Sequence, residues 1–128
     1  MNTLFLVYLI VEAIFGIGFL FFPSLMMAPM GVTVDVTSAS FARMLGSMMI
    51  SITVLFIFAR RSEYPAFKRG VIYCAIVYLL ISTVVLVINQ VNGVLNSVGW
   101  STVILHLIFL IWFGYYALKK NTLAEQVN

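Results

Sequence analysis

Ser40 to Arg61 reads SFARMLGSMMISITVLFIFARR. The stretch is apolar and long enough to cross a bilayer, because about 20 helical residues cover the roughly 30 Å of hydrocarbon. One arginine, Arg43, lies about a turn inside its first end, and a pair, Arg60 and Arg61, closes the other. The pair marks the end that faces the cytoplasm, whereas the single arginine is a charge in a costly place. Working outward, three more runs of this kind appear. The four are set at 3–22, 39–59, 70–89 and 99–118.

Composition agrees with that reading. Of 128 residues, 63% are hydrophobic and 9% charged, against about 45–50% and about 25% in soluble globules. The length suits one domain over 1–128. The third run is rich in β-branched residues (IVYLLISTVVLVI), which favours strand in water. In lipid, however, backbone hydrogen bonds must close within a helix or a barrel, and no run alternates with the period of two that a barrel strand needs. The expected fold is therefore all-α, an integral membrane four-helix bundle.

Lys and Arg set the orientation. Of seven, six lie in two clusters: Arg60, Arg61, Lys68 and Arg69 in the 60–69 connection, and Lys119 and Lys120 after the last run. The positive-inside rule puts both clusters in the cytoplasm, and four spans then put the N-terminus there with the C-terminus. Tyr115 and Tyr116 fall near the inner interface and Trp100 near the outer one. The net charge of +3 is a topology signal, so no nucleic-acid partner is expected. The 60–69 run reads as topogenic, with some attraction to anionic lipid.

The first run lacks a basic leader and carries Glu12 in its middle, so it reads as a retained helix, not a signal peptide. Pro23 and Pro29 should end it and open an outer loop that runs to about Ser38, whose hydroxyl can cap the second helix. The 90–98 connection turns at Asn92-Gly93, making the third and fourth helices antiparallel neighbours. There is no N-x-S/T sequon.

Four intramembrane polar residues form a candidate site: Glu12, Arg43, His106 and Asn89. A mid-bilayer carboxylate costs about 2.5–3.5 kcal/mol on insertion scales, so Glu12 must be protonated, paired or wetted. Arg43 and His106 are the candidate partners, and Asn89 lies near the depth of Arg43. Together they are compatible with a polar pocket in the outer half. Gly16 follows Glu12 by four residues, and Gly46 and Ser47 follow Arg43 by three and four. This small-residue spacing predicts close packing of helices one and two. Plainer readings stand beside these: a structural Glu12–Arg43 ion pair, Arg43 snorkelling to headgroups, and His106 as a neutral hydrogen-bonded imidazole. No metal site is expected, since there is no second His, and the methionines read as packing. One cysteine, Cys74, excludes an intrachain disulfide and a CxxC pair. There is no phosphate loop, HExxH or GxSxG, so no catalytic motif and no cofactor are indicated.

FGIGFLFFP (15–23), then Met30-Gly31, then FARMLGSMM (41–49) resembles the DoxX-like group of small four-helix bacterial membrane proteins. The resemblance spans residues 12–50. It implies a multi-pass protein of the bacterial inner (cytoplasmic) membrane, some of whose relatives are subunits of respiratory or redox-linked complexes. The first functional expectation is a membrane subunit or scaffold, with a small lipid, quinone or organic ligand in the outer-half pocket and a homo-oligomeric or complex partner. The alternative is a proton-coupled small-molecule transporter using Glu12. VEAIFG is loosely similar to the glutamate region of small multidrug-resistance transporters, but the Lys/Arg bias here speaks against dual insertion. A membrane enzyme with Glu12 and His106 as acid and base is a third reading.

Overall fold

The computed structural model describes residues 1–119; Lys120, placed above in the cytoplasmic tail, lies outside the described residues. Among them the chain is helical without strands. It forms α1 (Asn2–Phe21), α2 (Pro23–Met27), a 3-10 turn (Ala28–Met30), α3 (Val36–Arg61), α4 (Pro65–Val91) and α5 (Gly99–Leu118). α1, α3, α4 and α5 are each long and apolar enough to cross a membrane, which makes this a multi-pass membrane protein.

Two boundaries differ from the sequence expectation by more than two residues. Helix α3 begins at Val36 because Asp35, not Ser38, is its cap. The Ser38 amide donates to Asp35 Oδ1 at 2.7 Å and the Asp35 amide donates to Ser38 Oγ at 2.9 Å, a reciprocal capping box. Helix α4 begins at Pro65, since proline's fixed φ suits the first helical position and its missing N–H costs nothing there. The connection expected over 60–69 therefore shrinks to Ser62–Tyr64, and its basic residues sit on helix ends. Arg60 and Arg61 close α3, where the helix dipole favours cations.

The expected outer loop is partly helical. Phe22, forced from helical geometry by the proline after it, separates α1 from α2 at φ −131°. Gly31 then reverses the chain at φ 79°, in the left-handed region. This segment docks on the α4–α5 turn: the Asn96 amide donates to Met30 O at 2.9 Å, and its Nδ2 donates to Pro29 O at 3.0 Å.

Helix α1 packs antiparallel along α3, and α4 along α5. At the end bearing Arg60 and Arg61 all four long helices share one core, with Phe5, Tyr8, Phe56, Phe109 and Phe113 at its centre. Tyr8 meets Phe56 at 4.7 Å between ring centroids, and Phe109 and Phe113 at 5.0 Å each. Lipid tails are as apolar as these rings, so dispersion and ring geometry hold the cluster, at about 0.5–1.5 kcal/mol per aromatic pair. At the same end, Lys68 Nζ lies 3.5 Å from Asn2 Oδ1. The terminal ammonium at Met1 is held below its ordinary pKa by burial, and then by Lys119 and Lys68 nearby. Toward the other end α1 packs on α3 and α4 on α5, and the 3-10 turn joins the two pairs through Asn96. Ile14, Ile81, Val84 and Ile111 are exposed, as lipid-facing surfaces require.

Candidate functional site

The α1–α3 seam fixes the depth of every polar residue on those helices. A β-carbon built on Gly46 would lie 2.5 Å from the Leu20 amide nitrogen and 2.7 Å from the Gly16 carbonyl oxygen. One built on Gly16 would meet Met49 Cβ at 3.1 Å. The two backbones touch here because neither residue has a side chain. Ser47 is not in the seam: it is exposed, and its hydroxyl donates to Met44 O at 2.7 Å.

Register follows. Tyr8 faces Phe56 and Gly16 faces Met49, so Glu12 falls level with Thr53. Arg43 falls level with Phe22, about ten residues or roughly 15 Å along the axis from Glu12. The two side chains cannot span that gap in a hydrogen-bonded pair, and Arg43 is exposed. Glu12 and Arg43 therefore belong to two places, not to one pocket.

The first place is the carboxyl of Glu12. The residue is 5% exposed, and its Oε2 is buried without a hydrogen-bond partner. Tyr8, one turn earlier on the same face, is 1% exposed, and its hydroxyl also lacks a partner. Tyr78 of α4 packs against the core cluster that holds Tyr8. The Thr53 hydroxyl is spent on Met49 O at 2.9 Å. Among the described residues no cation lies against the acid. His106 shares this depth, judged from the Tyr8–Phe109 contact. Its Nδ1 donates to Thr102 O at 2.8 Å, the carbonyl being able only to accept. Asn89 is half-buried near the far end of α4.

The second place is a groove of about 510 Å³ where α1 turns into α2 and α3 begins. Phe21, Phe22, Leu25 and Val36 give it apolar walls; Asp35 and Arg43 are its charges. The Ser38 hydroxyl, and then its amide, hold the Asp35 carboxyl below the usual carboxylate range. The groove is open along much of its length, so a bound molecule would lie partly exposed on it.

Among the described residues no three His, Cys, Asp or Glu are grouped to hold a metal ion. Cys74 is exposed on α4. Sequence reasoning missed Tyr8, Tyr78 and Asp35. Tyr8 carried a usable signal, its four-residue spacing from Glu12. Asp35 carried another, its three-residue spacing from Ser38. Tyr78 carried none, because only interhelical packing brings it to the core cluster. No family model, no curated protein and no solved structure matches the chain.

Proposed function

We propose that this protein is a membrane subunit or scaffold, a four-helix bundle without catalytic machinery of its own, that holds an amphipathic small molecule in the groove at Arg43. The observation that carries this reading is the groove itself: apolar walls, one cation, and a position at the end of the spans where an amphipath's head meets water. The positive-inside rule supports an orientation with both termini and Arg60–Arg61 in the cytoplasm, which opens the groove to the outer leaflet. The resemblance of residues 12–50 to the DoxX-like group supports the bacterial inner membrane as its location, and a membrane complex or a second copy as its partner. Purification in mild detergent, followed by organic extraction and mass spectrometry, tests the reading. Wild type should carry a stoichiometric lipid, quinone or other amphipath, and Ala39→Trp, which fills the groove, should lose it. Equal retention by both proteins would refute the reading.

A second reading has its own observation. Glu12 is a buried acid with an unpartnered oxygen and, among the described residues, no adjacent cation, as a carboxyl that takes up and releases protons requires. As a proton-coupled transporter, the protein in proteoliposomes should move substrate with a proton gradient, and Glu12→Gln should abolish uptake while leaving the fold intact. Undiminished uptake by that variant would exclude Glu12 as the carrier.

A further inference from the structure

We propose that the groove at Arg43 binds a zwitterionic phospholipid with a primary ammonium headgroup, its phosphate on Arg43 and its ammonium on Asp35. The inference rests on reading this groove as a ligand site, and it names the ligand.

The argument is one of charge order. Arg43 is the cation and Asp35 the acid among the described residues lining the groove. Asp35 accepts from the Ser38 amide at 2.7 Å and the hydroxyl at 2.6 Å, both at Oδ1, and among the described residues no ion pair joins it to Arg43, so Oδ2 and Arg43 each remain open to a partner. Both charges are on the exposed side of the protein. They follow each other along α3 in a fixed sequence. Asp35 is the cap, at the water end of the span, and Arg43 lies eight residues further in, roughly 12 Å along the axis. An arginine side chain snorkelling toward water narrows that separation, bringing it toward the short distance between the phosphate and ammonium of an ethanolamine headgroup. The lipid presents the same order from water inward: ammonium, phosphate, then acyl chains. Phe21 and Phe22, exposed at the depth of Arg43, would meet the glycerol and the first methylenes, and the chains would continue inward from there over exposed apolar side chains of α3 such as Met48. The match holds whichever leaflet the start of α3 faces.

Other headgroups fit worse for stated reasons. A glycerol headgroup leaves net negative charge beside the Asp35 carboxylate. A trimethylammonium keeps the charge but has no N–H to donate, so the charge-assisted hydrogen bond to Asp35 is lost.

Native mass spectrometry of the full chain in mild detergent tests this, with phosphatidylethanolamine, phosphatidylcholine and phosphatidylglycerol of identical acyl chains. Wild type should bind the ethanolamine lipid about tenfold more tightly than either of the others, the worth of one hydrogen bond between charged groups. Asp35→Asn, which still caps α3, should bring the ethanolamine and choline lipids to equal affinity. Arg43→Gln should weaken all three, and Arg43→Lys should restore most of the loss. Circular dichroism melts of each variant show whether it is folded, and Asp35→Ser serves as a second capping replacement if the asparagine variant is not. Equal affinities in wild type, or a preference that survives Asp35→Asn, overturn the headgroup assignment. If the three lipids bind equally and Ala39→Trp removes them all, the groove stands as an amphipath site and only the headgroup assignment fails. If Ala39→Trp changes nothing, the groove reading falls with it.

Discussion

Replacing Gly46 by alanine adds one carbon where two helix backbones touch. That carbon would stand 2.5 Å from the Leu20 nitrogen, 2.7 Å from the Gly16 oxygen and 3.0 Å from the Leu20 Cα. All three are backbone atoms of a helix and cannot rotate away. Relief requires α1 and α3 to separate by about 1 Å, and a gap of that size forfeits roughly a quarter to a half of each dispersion contact along the seam. Overpacking of this kind costs about 1–3 kcal/mol. Gly114→Ala is the control: a β-carbon there meets nothing within 4 Å, and alanine's helix preference should leave it neutral or stabilised by up to about 1 kcal/mol. Gly16→Ala belongs between them: its β-carbon meets the flexible end of Ile50 at Cδ1, 3.0 Å away, and the fixed Met49 Cβ and Gly46 O only at 3.1 and 3.2 Å. Unfolding in detergent, followed by circular dichroism, should rank stability as Gly114→Ala above Gly16→Ala above Gly46→Ala. If Gly46→Ala matches Gly114→Ala, the α1–α3 contact is not where the seam places it, and the depth assigned to Arg43 falls with it.

Three further outcomes are expected. In a Cys74→Ser background, an impermeant thiol reagent added outside intact cells should label Thr33→Cys and miss Glu63→Cys; the reverse pattern would invert the orientation drawn from the basic residues. A double-mutant cycle of Glu12→Gln with Arg43→Gln should be additive within about 0.5 kcal/mol, as expected for side chains this far apart, whereas Glu12→Gln with Tyr8→Phe should show coupling; a large Glu12–Arg43 coupling would contradict the register. Because hydrogen bonds to Ser38 lower the Asp35 pKa in the folded chain, the cap should be intact above the unfolded-state pKa and be lost as pH falls through the folded one; hydrogen exchange should show amide protection at Thr37–Ala39 declining there, and no such decline in Asp35→Asn.

Much of the fold was legible because lipid leaves a chain few options. Once backbone groups must pair internally, a run of about 20 apolar residues becomes a helix whatever its intrinsic preference. The β-branched 70–89 run therefore lies within α4 despite a composition that favours strand in water. The number of spans and the helix-breaking role of Pro23 depend only on residues near each other in sequence, and so does the small-residue pattern at Gly16 and Gly46. Helix ends were less legible. Asp35 and Pro65 carried capping and first-turn signals, but apolarity alone does not show how far a helix continues beyond the hydrocarbon.

What the sequence by itself could not supply is the axial register between helices. Depth counted from helix centres set Arg43 within reach of Glu12; the seam, where Gly46 lies against Leu20 and Gly16, sets them roughly 15 Å apart. The tertiary structure alone decided that Glu12 is a buried acid with no cation against it among the described residues, that Tyr78 of a distant helix packs against the core cluster that holds Tyr8, and that Asp35 and Arg43 share a groove with the α1–α2 corner. The physical reason is that lipid dictates helix formation from local composition, whereas the sliding of one helix along another is settled by close contacts between particular side chains and backbones that sequence spacing does not encode.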